Sequence, residues 1–252
     1  MLQQTQVDRV VPRWHRFLER FPTVLACARA PVGDVIDEWS GLGYNRRAVN
    51  LHRMAVEVTT APGGAFPRDR AALEALPGIG PYTARAVRVF AFEERDAVVE
   101  TNVARILART SGRTLTRAEA QRLADAGLGS SPWHHNQALL DVGAGWCRPR
   151  DPGCDTCPLR SACRWAADGR PGPDPALGSA GVSGPQPRFE GSDRQGRGRL
   201  VRALRAGPVP AARLSEVVGW PGEPERARRV AATLVADGRA VDDGSGGLRL
   251  PG

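Results

Sequence analysis

LPGIGPYTARAV, residues 76–87, decides how the rest of this chain is read. Helical patterning runs from about residue 70 to Leu76 and resumes at Pro81, so the P-G-x-G form between them predicts a tight turn. Gly78 and Gly80 can take backbone angles closed to other residues and let a ligand approach the chain closely. Helix, turn and helix make a helix-hairpin-helix. Amides at the start of its second helix, around Gly78, Ile79, Gly80 and Thr83, would point outward and can hold a DNA phosphate. A plain hairpin between packed helices would use the same glycines, so the motif takes its meaning from its surroundings.

Upstream, residues 1–60 read as helices. In QTQVDRVVPRWHRFLERFP the apolar residues Val7, Val10, Val11, Trp14, Phe17, Leu18 and Phe21 recur at three and four. Pro12 is expected to kink that stripe or start a new segment. Helical patterning continues over 34–40 and 46–58, with GLGYNRR as the turn between. Downstream, Asn102 is expected to cap a helix whose apolar face carries Val103, Ile106 and Leu107, and two more helices fit 117–126 and 132–145. Residues 166–196 are rich in Gly and Pro and poor in large apolar groups, which predicts a linker. Residues 197–252 resume helical patterning and end in RAVDDGSGGLRL, which alternates around a glycine turn like a small β-wing. The expected architecture is mainly α: a domain over 1–165, a linker over 166–196 and a winged-helix-like module over 197–252.

Four cysteines, Cys147, Cys154, Cys157 and Cys163, follow C-x6-C-x2-C-x5-C. Four thiolates on one short loop can wrap a [4Fe–4S] cube. Structural zinc is the alternative, although its four-cysteine sites come as two close pairs and here only Cys154 and Cys157 are close. A disulfide framework is the weakest option, since nothing else in the chain looks secreted. Cys27 stands alone in an apolar stretch and reads as a buried spectator. His15, His52, His134 and His135 are not spaced as metal partners of the cysteines.

The formal net charge is +8 and the pI about 10.4, which favours a polyanionic partner. All 35 basic residues are arginine. A GC-rich genome accounts for that bias without function, but the chemical consequence stands: no side-chain amine exists to form a Schiff base. No apolar run is long enough to span a membrane and no signal peptide is visible, so a cytoplasmic, nucleoid-associated location is expected.

Hairpin and cysteine quartet together resemble the helix-hairpin-helix DNA glycosylases with a C-terminal iron–sulfur loop. MLQQTQV at residues 1–7 and WSGLGYNRRAVNLHR at 39–53 are similar to the adenine DNA glycosylases of the MutY type, continuously over 1–165. The resemblance implies a two-lobed fold, a [4Fe–4S] cofactor and a monomer acting on double-stranded DNA with a mismatched or damaged base. It implies that Gln3 and Gln4 lie at the lesion, that Tyr44 wedges into the duplex, and that His52 falls on the NLH stretch. Tyr82 occupies the position where endonuclease III-like relatives place a Schiff-base lysine, which implies a monofunctional enzyme. Glu100, where the family has an aspartate, would stabilise the sugar cation as the base leaves, and Asn102 matches the family's asparagine.

The match is interrupted at both ends. The family's general-acid glutamate lies two positions before the motif methionine, which is Met1 here, so a truncated start with impaired excision is expected. The 197–252 segment is too short and too helical for the β-rich, nudix-like domain of many relatives. The expected reaction is hydrolysis of the N-glycosidic bond of an adenine opposite 8-oxoguanine or guanine. The rivals are a T:G or U:G mismatch glycosylase and a catalytically impaired DNA-binding protein.

Overall fold

The computed structural model describes residues 1–3, 5–181 and 187–252. Gln4, expected at the lesion, and residues 182–186 lie outside the described residues. The helices are α1 (Val7–Arg20), α2 (Val24–Arg29), α3 (Val32–Glu38), α4 (Arg46–Thr60), α5 (Arg70–Ala75), α6 (Pro81–Phe92), α7 (Thr101–Ser111), α8 (Arg117–Gly127), α9 (Pro132–Gly145), α10 (Arg164–Ala167), α11 (Asp193–Ala206), α12 (Leu214–Val218) and α13 (Pro224–Ala236). Two short antiparallel strands, β1 (Val241–Asp242) and β2 (Leu248–Arg249), pair Val241 with Arg249 and Asp242 with Leu248. Mainly helical structure with a two-stranded wing is what the periodicities predicted.

Local signals explain most of the boundaries. Pro81 starts α6 at the position where its missing N–H leaves nothing unpaired. Thr116 and Glu119 close a capping box on α8. Gly112 ends α7 at φ +70°, a left-handed conformation that suits glycine. One expectation is narrowed and one corrected. Pro12 does not start a new segment: α1 runs through it, because burial of Val10 and Phe17 on one face outweighs one lost ladder bond. Asn102 is not a cap: Glu100 takes that position, and Asn102 lies inside the first turn of α7.

The contacts divide the chain into two units. One comprises residues 1–66, 76–78 and 187–252, the other residues 67–75 and 79–186. In the first, Val10, Phe17, Ile36, Trp39 and Val49 from α1–α4 and the adjoining residues share one packed core with Leu200, Leu204, Leu214, Val218, Leu234 and Leu248. Thus α11–α13 and the wing, set apart in the sequence as a module, bury their apolar faces in the same core as the N-terminal helices. The second unit packs Val99, Val103, Ala104, Ala108, Leu115 and Ala120 together. The stretch expected as a linker is packed in part: Ala176 is 1% exposed and Asp174 pairs with the buried Arg109 of α7.

Candidate active site and cysteine loop

Glu100 precedes α7 in an extended conformation, and its Oε1 accepts the amides of Asn102 at 2.7 Å and Val103 at 3.0 Å. The first turn of a helix has unpaired N–H groups and a partial positive charge, so a carboxylate here is both bonded and electrostatically favoured. Tyr82, in the first turn of α6, is partly exposed. Burial, then the charge of Glu100, push its phenol above the ordinary tyrosine value. The second unit therefore brings Tyr82, Glu100 and Asn102 into one neighbourhood.

Behind Glu100, α7 is buried nearly all round, and two of its buried side chains are arginines. Arg105 donates to the carbonyls of Cys147 at 2.6 Å, Gly143 at 3.1 Å and Gly181 at 3.2 Å, and to Asn102 Oδ1. A side chain at Gly143 would put its Cβ 2.5 Å from Asn102 Cβ, so α9 reaches α7 there only as glycine. Arg109, one turn on, is 2% exposed. It donates to Cys147 Sγ at 3.3 Å and to the Arg148 carbonyl at 2.8 Å, pairs with Asp174 at 2.6 Å, and lies over the Trp165 ring. Sequence reading gave these arginines no role. Their signal was an arginine repeated at i and i+4 inside VARILAR, where the neighbours are apolar.

In the hairpin, Gly78 has φ +80°, and a Cβ there would lie 2.8 Å from Asn50 Cβ, so both its angle and its space exclude other residues. Gly80 precedes α6 with open space around it, and Ile79 is half-buried between the glycines. Thr83 lies in the first turn of α6.

Gln3 and Tyr44 sit in the first unit on two loops that Arg47 joins. Its guanidinium donates to the carbonyls of Met1 (3.0 Å) and Gln3 (2.7 Å), to Thr5 Oγ1 (3.1 Å), and to the carbonyls of Leu42 and Gly43 (both 3.1 Å). It also faces the rings of Trp39 and Tyr44. Tyr44 is 49% exposed and held at φ +48°, after Gly41 and Gly43, which also have positive φ. An exposed aromatic on a strained turn is a feature of functional loops. Its neighbours Trp39 and Leu42 are buried, so the loop is anchored beneath its tip. His52 turns inward instead, its Nε2 bonded to the Ala30 carbonyl at 2.9 Å.

All five cysteines are free thiols. Cys27 is buried, as expected, and burial raises its thiol. The other four line one cavity, walled by Ile106, Val142, Trp146, Leu159 and Trp165. Among the described residues no three His, Cys, Asp or Glu side chains converge closely enough to hold a single ion. Burial raises the Cys147 thiol, while the Arg109 hydrogen bond and the charges of Arg109 and Arg105 oppose that rise.

Comparison with known proteins agrees with this geometry. Residues 1–126 match the HhH-GPD superfamily of base excision DNA repair proteins. Over its full length the chain is 37% identical to the adenine DNA glycosylase of Mycolicibacterium smegmatis and spans 85% of that protein. It is likewise 37% identical over its full length to the Mycobacterium tuberculosis enzyme of that name, spanning 83% of it. Among solved structures, a thermostable thymine-DNA glycosylase aligns with a TM-score of 0.62 at 28% identity, over 66% of this chain and 80% of that one. An endonuclease III bound to DNA shares the fold, with a TM-score of 0.59 at 24% identity over 66% of this chain and 80% of its own. The chain thus belongs to the helix-hairpin-helix superfamily of base excision repair proteins and, within it, to the adenine DNA glycosylase family of DNA-binding N-glycosylases.

Proposed function

We propose that this glycosylase removes adenine paired with 8-oxoguanine or guanine, without cutting the strand. One observation carries the reading: the Glu100 carboxylate is fixed on the first turn of α7, with the Tyr82 phenol near enough to feel its charge. Excision breaks the bond from C1′ to the purine nitrogen. The electron pair leaves with the base, C1′ gains oxocarbenium character, and water adds to it as a hydroxyl, its other proton completing the N–H of the released adenine. A carboxylate already tied to two amides stabilises that cation without reorganising during the reaction. Strand cleavage through a Schiff base would need an amine at C1′, and a lysine-free chain with a phenol at Tyr82 supplies none. Asn102, bonded to Arg105, holds the backbone beside Glu100. Gly78, Ile79, Gly80 and Thr83 would hold a phosphate on the amides that open α6. Tyr44 would wedge beside the lesion, with Gln3 and Gln4 at the orphaned base, offsetting the few kcal/mol that base flipping costs.

In this reading Cys147, Cys154, Cys157 and Cys163 hold a [4Fe–4S] cluster. Their donor chemistry fits, as does their arrangement around a cavity rather than about one point. Zinc would need all four sulfurs within about 2.3 Å of a single ion. When bound, the cluster supplies a rigid charged anchor and one-electron redox capacity, while hydrolysis rests on the side chains. The enzyme would work in the cytoplasm, on the nucleoid, as a monomer.

The likeness to a thymine-DNA glycosylase favours one second reading, T:G or U:G mismatch repair on the same scaffold. Purified protein incubated with A:8-oxoG, A:G, T:G and U:G duplexes separates the two. Abasic product from the adenine pairs is expected, and product from T:G or U:G alone would overturn the adenine assignment.

A further inference from the structure

We propose that the C-terminal module, residues 197–252, braces the loop that presents Tyr44. The inference rests on the reading of Tyr44 as the wedge. The loop joins α3 to α4, and the module grips the chain on both sides of it. Ahead of the loop, Arg205 of α11 pairs with Asp37 and donates to Ser40 Oγ at 2.6 Å, four residues before Tyr44. Behind the loop, Asp237, at the end of α13, pairs with Arg46 at 3.6 Å, two residues after Tyr44. Asp237 is itself held by Arg239, which is 8% exposed.

Two glycines set how closely the module approaches. Gly238 has φ +71°, and a Cβ there would meet the Arg53 guanidinium of α4 at 2.9 Å. Gly33 of α3 donates to the Pro251 carbonyl at 3.1 Å, and a Cβ on it would stand 2.5 Å from that oxygen. Beneath these contacts, Trp39 and Leu42, which flank the loop, pack in the same core as Leu204 and Leu234. The module is therefore built into the base of the loop.

A strained, exposed tip works as a wedge only if its stem stays put when the duplex pushes back. Exposed ion pairs add little to global stability. Here both pairs hold the ends of one seven-residue turn, so their effect falls on the position of Tyr44. Arg205 and Asp237 are accordingly positioning residues that act through Tyr44.

Deleting the module would strip the shared core, so the test uses point variants of the full chain. The probe is a duplex with a tetrahydrofuran abasic analogue and a neighbouring 2-aminopurine, whose fluorescence rises when the stack is opened. This readout needs neither excision nor a known target base. Arg205→Met and Asp237→Asn should each weaken the opened complex roughly two- to fivefold, the loss of a part-exposed ion pair. Affinity for undamaged duplex should stay near wild type in both; the melting temperature should do so in Arg205→Met, whose pair is part-exposed, and should fall in Asp237→Asn, which also leaves the buried Arg239 unpaired. In a Tyr44→Ala background the same substitutions should cost almost nothing more, because their effect passes through Tyr44. Full additivity with Tyr44→Ala, or unchanged opening in both variants while Tyr44→Ala alone abolishes it, would overturn the brace and leave the wedge standing. Unchanged opening in Tyr44→Ala itself would overturn the wedge and the brace with it.

Discussion

Glu100 does two jobs in this structure, capping α7 and standing as the proposed catalytic carboxylate, and asparagine separates them. Asn ranks with Asp and Ser as a helix cap but carries no charge. In Glu100→Asn one short bond to the Asn102 or Val103 amide is kept, and the loss is the charge–dipole interaction, about 0.3–1 kcal/mol. For a chain of this size that lowers the melting temperature by about 1–4 °C. Glu100→Ala removes the cap as well and adds about 1 kcal/mol to the loss. The rates should follow a different order. Removing a preorganised charge from the reacting centre typically slows catalysis about 10²–10³-fold, so both variants should excise adenine at least a hundredfold more slowly than wild type. Single-turnover excision from an A:8-oxoG duplex, set beside calorimetric melting, gives both numbers for each protein. If Glu100→Asn excises at the wild-type rate while Glu100→Ala does not, Glu100 is only a cap and the catalytic assignment is wrong.

The remaining predictions concern its neighbours. Burial and the Glu100 charge both favour the neutral Tyr82 phenol in the folded state. Stability tied to it is therefore complete below the unfolded value of about 10 and is lost as pH rises through the higher folded value. With only two tyrosines in the chain, an ultraviolet phenol titration can resolve Tyr82, and Glu100→Asn should shift its step downward; an unmoved step would break their electrostatic link. Arg47→Met strands acceptors on two loops and should cost about 2–3 kcal/mol. Hydrogen exchange should rise over residues 1–5 and 41–44, and unaltered exchange there would show that Arg47 does not join them. Gly143→Ala drives a methyl toward Asn102 and should cost about 1–3 kcal/mol, with slower excision as Asn102 shifts; a wild-type melting temperature would count against that close approach. Replacing Cys154 with serine should abolish the broad visible absorption of iron–sulfur charge transfer in purified protein, whereas full absorption would remove Cys154 from the ligand set.

Much of this was legible in the sequence because the deciding signals are local. Gly78 and Pro81 mark a turn and a helix start by backbone chemistry alone, and the three-and-four spacing of Val7, Val10, Trp14 and Phe17 marks α1. Where sequence reading failed, a distant partner decides. Asn102 looked like a cap because it is a good one, but Glu100 two residues earlier reaches the same amides and displaces it. Residues 166–181 looked like a linker because their composition is poor in apolar groups. Their order comes instead from Asp174 on Arg109 and from Gly181 against Arg105, contacts 65 and 76 residues apart. Composition averages such contacts away. Arginine was the most misleading residue: with all 35 basic residues of one type, those that hold the fold together look like those that face solvent. The structure distinguishes them by their acceptors. Arg47 serves five, Arg105 four, and Arg109 a carboxylate, a thiol and two carbonyls. A planar fork with five donors can do this, whereas an ammonium has three donors on a single atom. The lysine-free composition therefore does more than exclude a Schiff base. At these three positions lysine could not have replaced arginine, and there the bias carries structure.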